Sequence, residues 1–147
     1  MNVPFADITR DEKETFIDGE SVDVRIRRAV NDVISRKNFI LGDYVEKFEN
    51  EFANYCNIKH CIGVSNGLSA LELSLIGLKI KDEVITVTNT FNATVGAIMK
   101  SGAHPILIEA SEKNYNIDIN KIENAITDRT QAIMPVHLYG QTVDMDK

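Results

Sequence analysis

The chain has 147 residues, with 16 Lys plus Arg against 22 Asp plus Glu and a formal net charge of −6. This balance argues against a nucleic-acid binder, which needs an excess of cations to neutralise phosphates. With 44% apolar and 26% charged residues, the composition is that of an ordinary folded chain, far from disordered or collagen-like sequences. One domain is the default for this length, and folding can bury roughly 70% of the surface the unfolded chain exposes.

The first ten residues, Met1 to Arg10, lack the basic and apolar stretches of a secretory signal. No apolar run approaches the roughly 20 residues needed to span a bilayer. Cys56 and Cys61 are separated by four residues, with no second pair and no His at ligand spacing. They read as reduced packing thiols, not as a zinc site, and no metal site is predicted. The expected address is the cytoplasm, with no membrane or nucleic-acid partner.

Residues 1–23 carry seven acids, Asp7, Asp11, Glu12, Glu14, Asp18, Glu20 and Asp23, against Arg10 and Lys13, as expected of a solvated arm. Val22, Ile26, Val30, Val33 and Ile34 then recur at helical spacing and predict an amphipathic helix over 21–36. Arg25, Arg27 and Arg28 on this helix form either a solvated face or a patch that meets phosphates. Gly42-Asp43 makes a break, and Val45, Phe48, Phe52 and Tyr55 mark a second helix. Residues 1–57 are thus expected to form an amino-terminal arm and helices.

From residue 58 onward, short apolar runs alternate with helical stretches. Strands are predicted at Cys61–Val64, Glu83–Val87, Pro105–Ile108 and Gln131–Val136. Helices are predicted around Leu68–Leu78, over 91–101 with Gly102 just past the end, and after the cap Asp118 through Ile119, Ile122 and Ile126. Such alternation implies parallel βαβ units with helices on both faces of a sheet, an α/β fold.

Ligands of such sheets bind beyond the carboxyl ends of the strands, which singles out three places. Val64-Ser-Asn-Gly-Leu-Ser-Ala70 leads through a glycine into a helix, either as a phosphate site on free backbone N–H groups or as an ordinary turn capped by Asn66 or Ser65. It is neither of the common glycine-rich nucleotide loops. Thr88-Asn-Thr-Phe-Asn-Ala-Thr94 puts Phe91 at a helix start, where an aromatic ring either stacks on a planar ligand or packs in the core. Val136-His-Leu-Tyr-Gly-Gln141 brings a His, a Tyr and an amide to a strand end. A His there is either a hydrogen-bonded structural residue or a base.

Taken in this order, these places resemble the amino-terminal part of the DegT/DnrJ/EryC1/StrS family of sugar aminotransferases. Val3-Pro-Phe5 resembles the family's opening, Leu41-Gly-Asp-Tyr-Val-Glu-Lys-Phe-Glu-Asn-Glu-Phe-Ala53 its first long-helix motif, and Val64-Ser-Asn-Gly-Leu-Ser-Ala-Leu-Glu-Leu73 its phosphate loop. Asp82–Thr86, Asn89–Thr94, Tyr115–Asp118 and Pro135–Gln141 continue the resemblance in register. It implies the front part of a fold-type I large domain over 58–147, incomplete at its carboxy-terminal side, binding pyridoxal 5'-phosphate and usually homodimeric. The implied reaction transfers an amino group from glutamate or glutamine to a keto sugar nucleotide, in deoxyamino-sugar or surface-polysaccharide biosynthesis.

By this resemblance Gly67, Leu68 and Ser69 hold the cofactor phosphate and Phe91 lies against the pyridine ring. Asn66, Asn89, His137 and Tyr139 are implied as further lining. Many members carry Thr where this chain has Leu68, which leaves amides and Ser69 for the phosphate. Gly67-Leu68 is similar to members that aminate the sugar at C3. The resemblance also demands a Schiff-base lysine and a carboxylate for the pyridinium nitrogen. None of the ten lysines matches the former. Asp144 and Asp146 are expected to open a further helix and do not match the latter. The expectation is a portion that holds the cofactor but does not transaminate alone, no catalytic residue being assigned within it. The rivals are a non-catalytic phosphate- or partner-binding module and a fragment complemented by a separately encoded back half.

Overall fold

A computed structural model of the chain describes residues 15–147. Most of the acidic arm and the Val3-Pro-Phe5 motif lie outside the described residues. The chain divides into two compact units, one ending at Gly63 and one running from Val64 to Lys147.

The first unit opens on a hairpin of β1 (Phe16–Ile17) and β2 (Glu20–Ser21), paired antiparallel. Its two-residue turn, Asp18-Gly19, has positive φ at both positions, the arrangement that matches the twist of a hairpin. α1 (Val22–Arg36) starts directly after it, with Asp23 in its first turn and Arg36 in its last. All three arginines of the basic patch face acids: Arg25 lies 3.7 Å from Asp18, Arg27 3.0 Å from Asp23, and Arg28 pairs with Glu20. The patch is therefore a charge-balanced helix face.

α2 (Asp43–Tyr55) follows Gly42, whose φ of 151° is a backbone conformation that residues with a side chain rarely adopt. Phe48, Phe52 and Tyr55 line up along α2, with ring centroids 5.5 and 6.2 Å apart. The strand predicted at Cys61–Val64 is not formed. The Gly63 N–H that a ladder would use donates instead to Glu49 Oε1 on α2 at 2.7 Å, and Ile62 is left exposed.

The second unit runs α3 (Gly67–Gly77), β3 (Glu83–Val87), α4 (Asn92–Lys100), β4 (His104–Ile108), a 3₁₀ turn (Ile119–Lys121) continuing into α5 (Ile122–Ala125), then β5 (Thr130–Ile133). The strands form a parallel sheet in the order β4-β3-β5. Central β3 is buried at every residue, and its side chains alternate between two cores. Val84 packs with Leu75, Ile98 and Ala103 beneath α3 and α4. Ile85 and Val87 pack with Ile108, Ile117 and Val143 on the other face, next to Ile119, Ile122 and Ala125. Each such burial contributes about 1.5–3 kcal/mol, so covering both faces is what holds a three-stranded sheet together.

β5 is shorter than the predicted 131–136. Its register slips between Glu83 and Val84, and Pro135 brings no N–H to the ladder. The last rung is Met134 N–H to Ile85 O at 2.8 Å, beside which Thr86 Oγ1 donates to Met134 O. At the amino end of β3, Glu83 is 2% exposed and accepts hydrogen bonds from Arg129 and Thr127. Asp144 lies in irregular backbone, paired with Lys147 at 2.7 Å.

Candidate functional site

Parallel pairing sends the carboxyl ends of all three strands to one edge, where α4 starts. α3 begins at Gly67, because Asn66 adopts an extended conformation (φ −169°, ψ 172°) and its Oδ1 accepts the Ser69 N–H at 2.9 Å. Asn66 Nδ2 in turn donates to Ser65 Oγ, which lies 3.1 Å from Ser69 Oγ. The first helical bond is Ala70 N–H to Asn66 O. The amides of Gly67 and Leu68 have no acceptor among the described residues. They sit at the positive end of an 11-residue helix. A Cβ added to Gly67 would meet nothing within 4 Å, so the approach to these amides is open.

Phe91 occupies the cap position of α4 and is 72% exposed, with the Thr90 and Thr94 hydroxyls 2.8 Å apart beside it. α3 and α4 lie side by side, Leu68 reaching toward Gly96. Their amino ends therefore open on one groove of about 920 Å³, lined by Asn66–Leu71, Phe91–Thr94 and Lys100. That volume is in the range of small-molecule pockets. Lys100, 3.8 Å from Glu72, is the one cation lining it among the described residues.

The groove thus unites Asn66, Gly67, Leu68, Ser69 and Phe91. Asn89 and Tyr139 lie together in a second, smaller concavity. His137 lines neither among the described residues. Its Nδ1 accepts the Val143 N–H at 3.0 Å, so the neutral ring carries its proton on Nε2. Lys100 lies nine residues after Phe91 in the last turn of α4, where a cation is ordinary, so residue type alone does not mark it as a groove residue.

Residues 20–147 match the model of the DegT/DnrJ/EryC1/StrS aminotransferase family. The chain belongs to this family. It is 47% identical over 137 residues to a dTDP-3-amino-3,6-dideoxy-alpha-D-galactopyranose transaminase of Aneurinibacillus thermoaerophilus, covering 89% of this chain and 38% of that protein. A dTDP-3-amino-3,4,6-trideoxy-alpha-D-glucose transaminase of Micromonospora megalomicea is 48% identical over 119 residues, covering 80% and 32%. Among solved structures, NtdA of Bacillus subtilis with bound cofactor PMP superposes with a TM-score of 0.78 at 37% identity, covering 84% of this chain and 29% of that one. The chain spans about a third of the length of these family members.

Proposed function

We propose that this chain forms the phosphate-holding front part of a pyridoxal-phosphate-dependent aminotransferase acting on a keto sugar nucleotide, with glutamate or glutamine as amino donor. The observation that carries this reading is the pair of acceptorless amides, Gly67 and Leu68, opening on the same groove as the exposed ring of Phe91. Those residues fit the group: a helix amino end for a phosphate, a hydroxyl from Ser69, and an aromatic face for a planar ring. When bound, the cofactor supplies an electron-withdrawing ring that stabilises negative charge at the carbon bearing the amino group. This chain's part is to hold and orient. Asn66 fixes the turn, Gly67 keeps it accessible, and Phe91 limits the tilt of the ring.

The two sugar transaminases described above name 3-amino sugars, and Gly67-Leu68 supports the same C3 position here. The reading includes a homodimer in the complete enzyme. It places the protein in the cytoplasm, supported by the free thiols of Cys56 and Cys61. No described helix is long and apolar enough to cross a membrane.

The test is titration of the ¹⁵N-labelled chain with pyridoxal phosphate, followed by borohydride reduction and mass spectrometry. The expected result is movement of the Gly67, Leu68 and Ser69 amide signals with no site-specific lysine adduct. Unmoved signals overturn the phosphate role. A specific adduct, for which Lys100 in the groove is the first residue to inspect, overturns the expectation that this portion does not transaminate alone.

A further inference from the structure

We propose that Asn116 is a positioning residue for the reaction. From a buried place between the loops after β4 and β5 it fixes two side chains of the sheet's carboxyl edge, Asn89 after β3 and His137 after β5. The role in the reaction rests on the reading of Asn89 and His137 as site residues.

Asn116 is 1% exposed, and its Nδ2 donates to the carbonyls of Gln141 and Thr142 at 3.1 and 3.2 Å. The next amide along, that of Val143, donates to His137 Nδ1 at 3.0 Å, and the Val143 side chain is held in the core with Ile85 and Val87. Residues 141–143 thus form a strap, fastened to Asn116 by two carbonyls and to His137 by one amide. With Nδ1 engaged, the exposed His137 ring offers its Nε2–H alone, as a donor and not a base. On the other side, the peptide that joins Tyr115 to Asn116 is held at both of its polar atoms. Its oxygen accepts from Asn89 Nδ2 at 3.1 Å, and its N–H donates to Asn114 Oδ1 at 3.2 Å. Asn89 and His137 are therefore oriented through one residue.

Two carbonyls that converge on one atom need two donors there. Among uncharged side chains only a primary carboxamide supplies both. It brings an oxygen with it, and the buried Asn116 Oδ1 has no hydrogen-bond partner among the described residues. An orphaned buried acceptor is costly, and a charged donor in its place would be costlier still. The backbone on either side carries further strain. Tyr115 and Tyr139 stand at φ of 60° and 54°, a region that bulky side chains adopt only where surrounding bonds impose it. Costs of this kind concentrate at functional sites, where strain is part of holding a geometry ready.

The test compares the whole ¹⁵N-labelled chain with Asn116→Ala and Asn116→Ser in mildly alkaline buffer. It reads the His137 ring nitrogens and the Asn89 side-chain amide in the folded state. Wild type is expected to show the Nε2–H tautomer alone. The Ala variant is expected to show both tautomers and a displaced Asn89 amide, and the Ser variant, which keeps one hydroxyl donor, signals between the two. A loss of global stability lowers the folded fraction but leaves both signals at their native positions, so the readout separates positioning from mere support. Wild-type positions of His137 and Asn89 in the variants overturn the proposal, as does a mixed tautomer in the wild type. If the Ala variant does not fold, the Ser variant decides alone. Pyridoxal phosphate is read separately, at Gly67–Ser69 of the wild-type chain. Failure there with displaced His137 and Asn89 signals in the variants removes the cofactor reading alone, and the converse removes the positioning role alone.

Discussion

Replacing Gly67 by Ala separates folding from binding in a way no core substitution can. Gly67 opens α3 with ordinary helical backbone, and an added Cβ meets no atom within 4 Å. Ala is therefore expected to leave stability unchanged or raise it by up to about 1 kcal/mol, through helix preference and a less flexible unfolded chain. The same methyl stands where an anion must approach the Gly67 and Leu68 amides. A hydrogen bond to a charged group contributes about 1.5–3 kcal/mol, so losing one weakens phosphate binding roughly tenfold to a hundredfold. Pyridoxal phosphate at 100 times the wild-type Kd stabilises the folded chain by about 2.7 kcal/mol; a tenfold weaker site retains about 1.4. At roughly 2–4 °C per kcal/mol, the difference is resolvable in thermal scans monitored by circular dichroism with and without the ligand. An undiminished ligand-induced rise in Tm for Gly67→Ala would refute the phosphate assignment. A ligand-free loss above about 1 kcal/mol would refute the open geometry at Gly67.

Asn66→Ala removes the cap to Ser69 and is expected to lower stability by about 1 kcal/mol, measured by urea unfolding, where a change below about 0.3 would count against the cap. Ile98→Ala, at a side chain fully buried between α4 and β3, is expected to cost about 2–5 kcal/mol in the same assay. Asn116→Ala leaves the carbonyls of Gln141 and Thr142 without their donor and is expected to cost about 1–3 kcal/mol, with faster amide exchange across 137–143 as its local readout. The hydrogen bond from Thr127, then the charge and hydrogen bond of Arg129, hold the Glu83 carboxyl below its usual range. A lowered folded-state pKa contributes stability that is present above the unfolded value and lost as pH falls through the folded one. Acid unfolding of Glu83→Gln is therefore expected to be less steep with pH in that window than wild type, and identical slopes would deny Glu83 the role.

Much of the α/β arrangement was readable because its signals are local. Glu83–Val87 is apolar, β-branched and closed by polar residues, and it forms a strand over those same bounds. Asp118 is a cap by residue type and accepts from the Asn120 amide. Cys61–Val64 has an equally apolar run but no ladder, since whether a strand forms depends on a neighbour and not on the segment. The capped turn before α3 was legible from Asn66 and Gly67 by type. The second concavity was not, because Asn89, Tyr115 and Tyr139 are up to 50 residues apart and meet only through parallel pairing and the Asn116 bridge. Positive φ at a tyrosine has no sequence signal either, as residue preference argues against it.

The turn before α3 also removes an opposition that residue types alone leave standing, between a capped helix start and an anion site. The first turn of α3 presents three amides without intrahelical partners, those of Gly67, Leu68 and Ser69. Asn66 Oδ1 engages the one at Ser69, and the Ala70 amide already belongs to the first helical bond. Gly67 and Leu68 remain, adjacent and open to the groove. The cap orders these two amides, because an Asn66 held in extended backbone sets the direction of the first turn and removes conformations that an anion would otherwise have to select. Binding there therefore depends on the cap without contact to it. On this reasoning Asn66→Ala weakens phosphate binding beyond its stability loss, whereas Asn66→Asp, which retains the acceptor, keeps the fold and opposes an anion by charge alone. Raising the salt concentration should then recover much of the Asp variant's affinity, relative to wild type at the same salt, and none of the Ala variant's. Parallel salt dependence in the two variants would show that the turn needs no cap to bind.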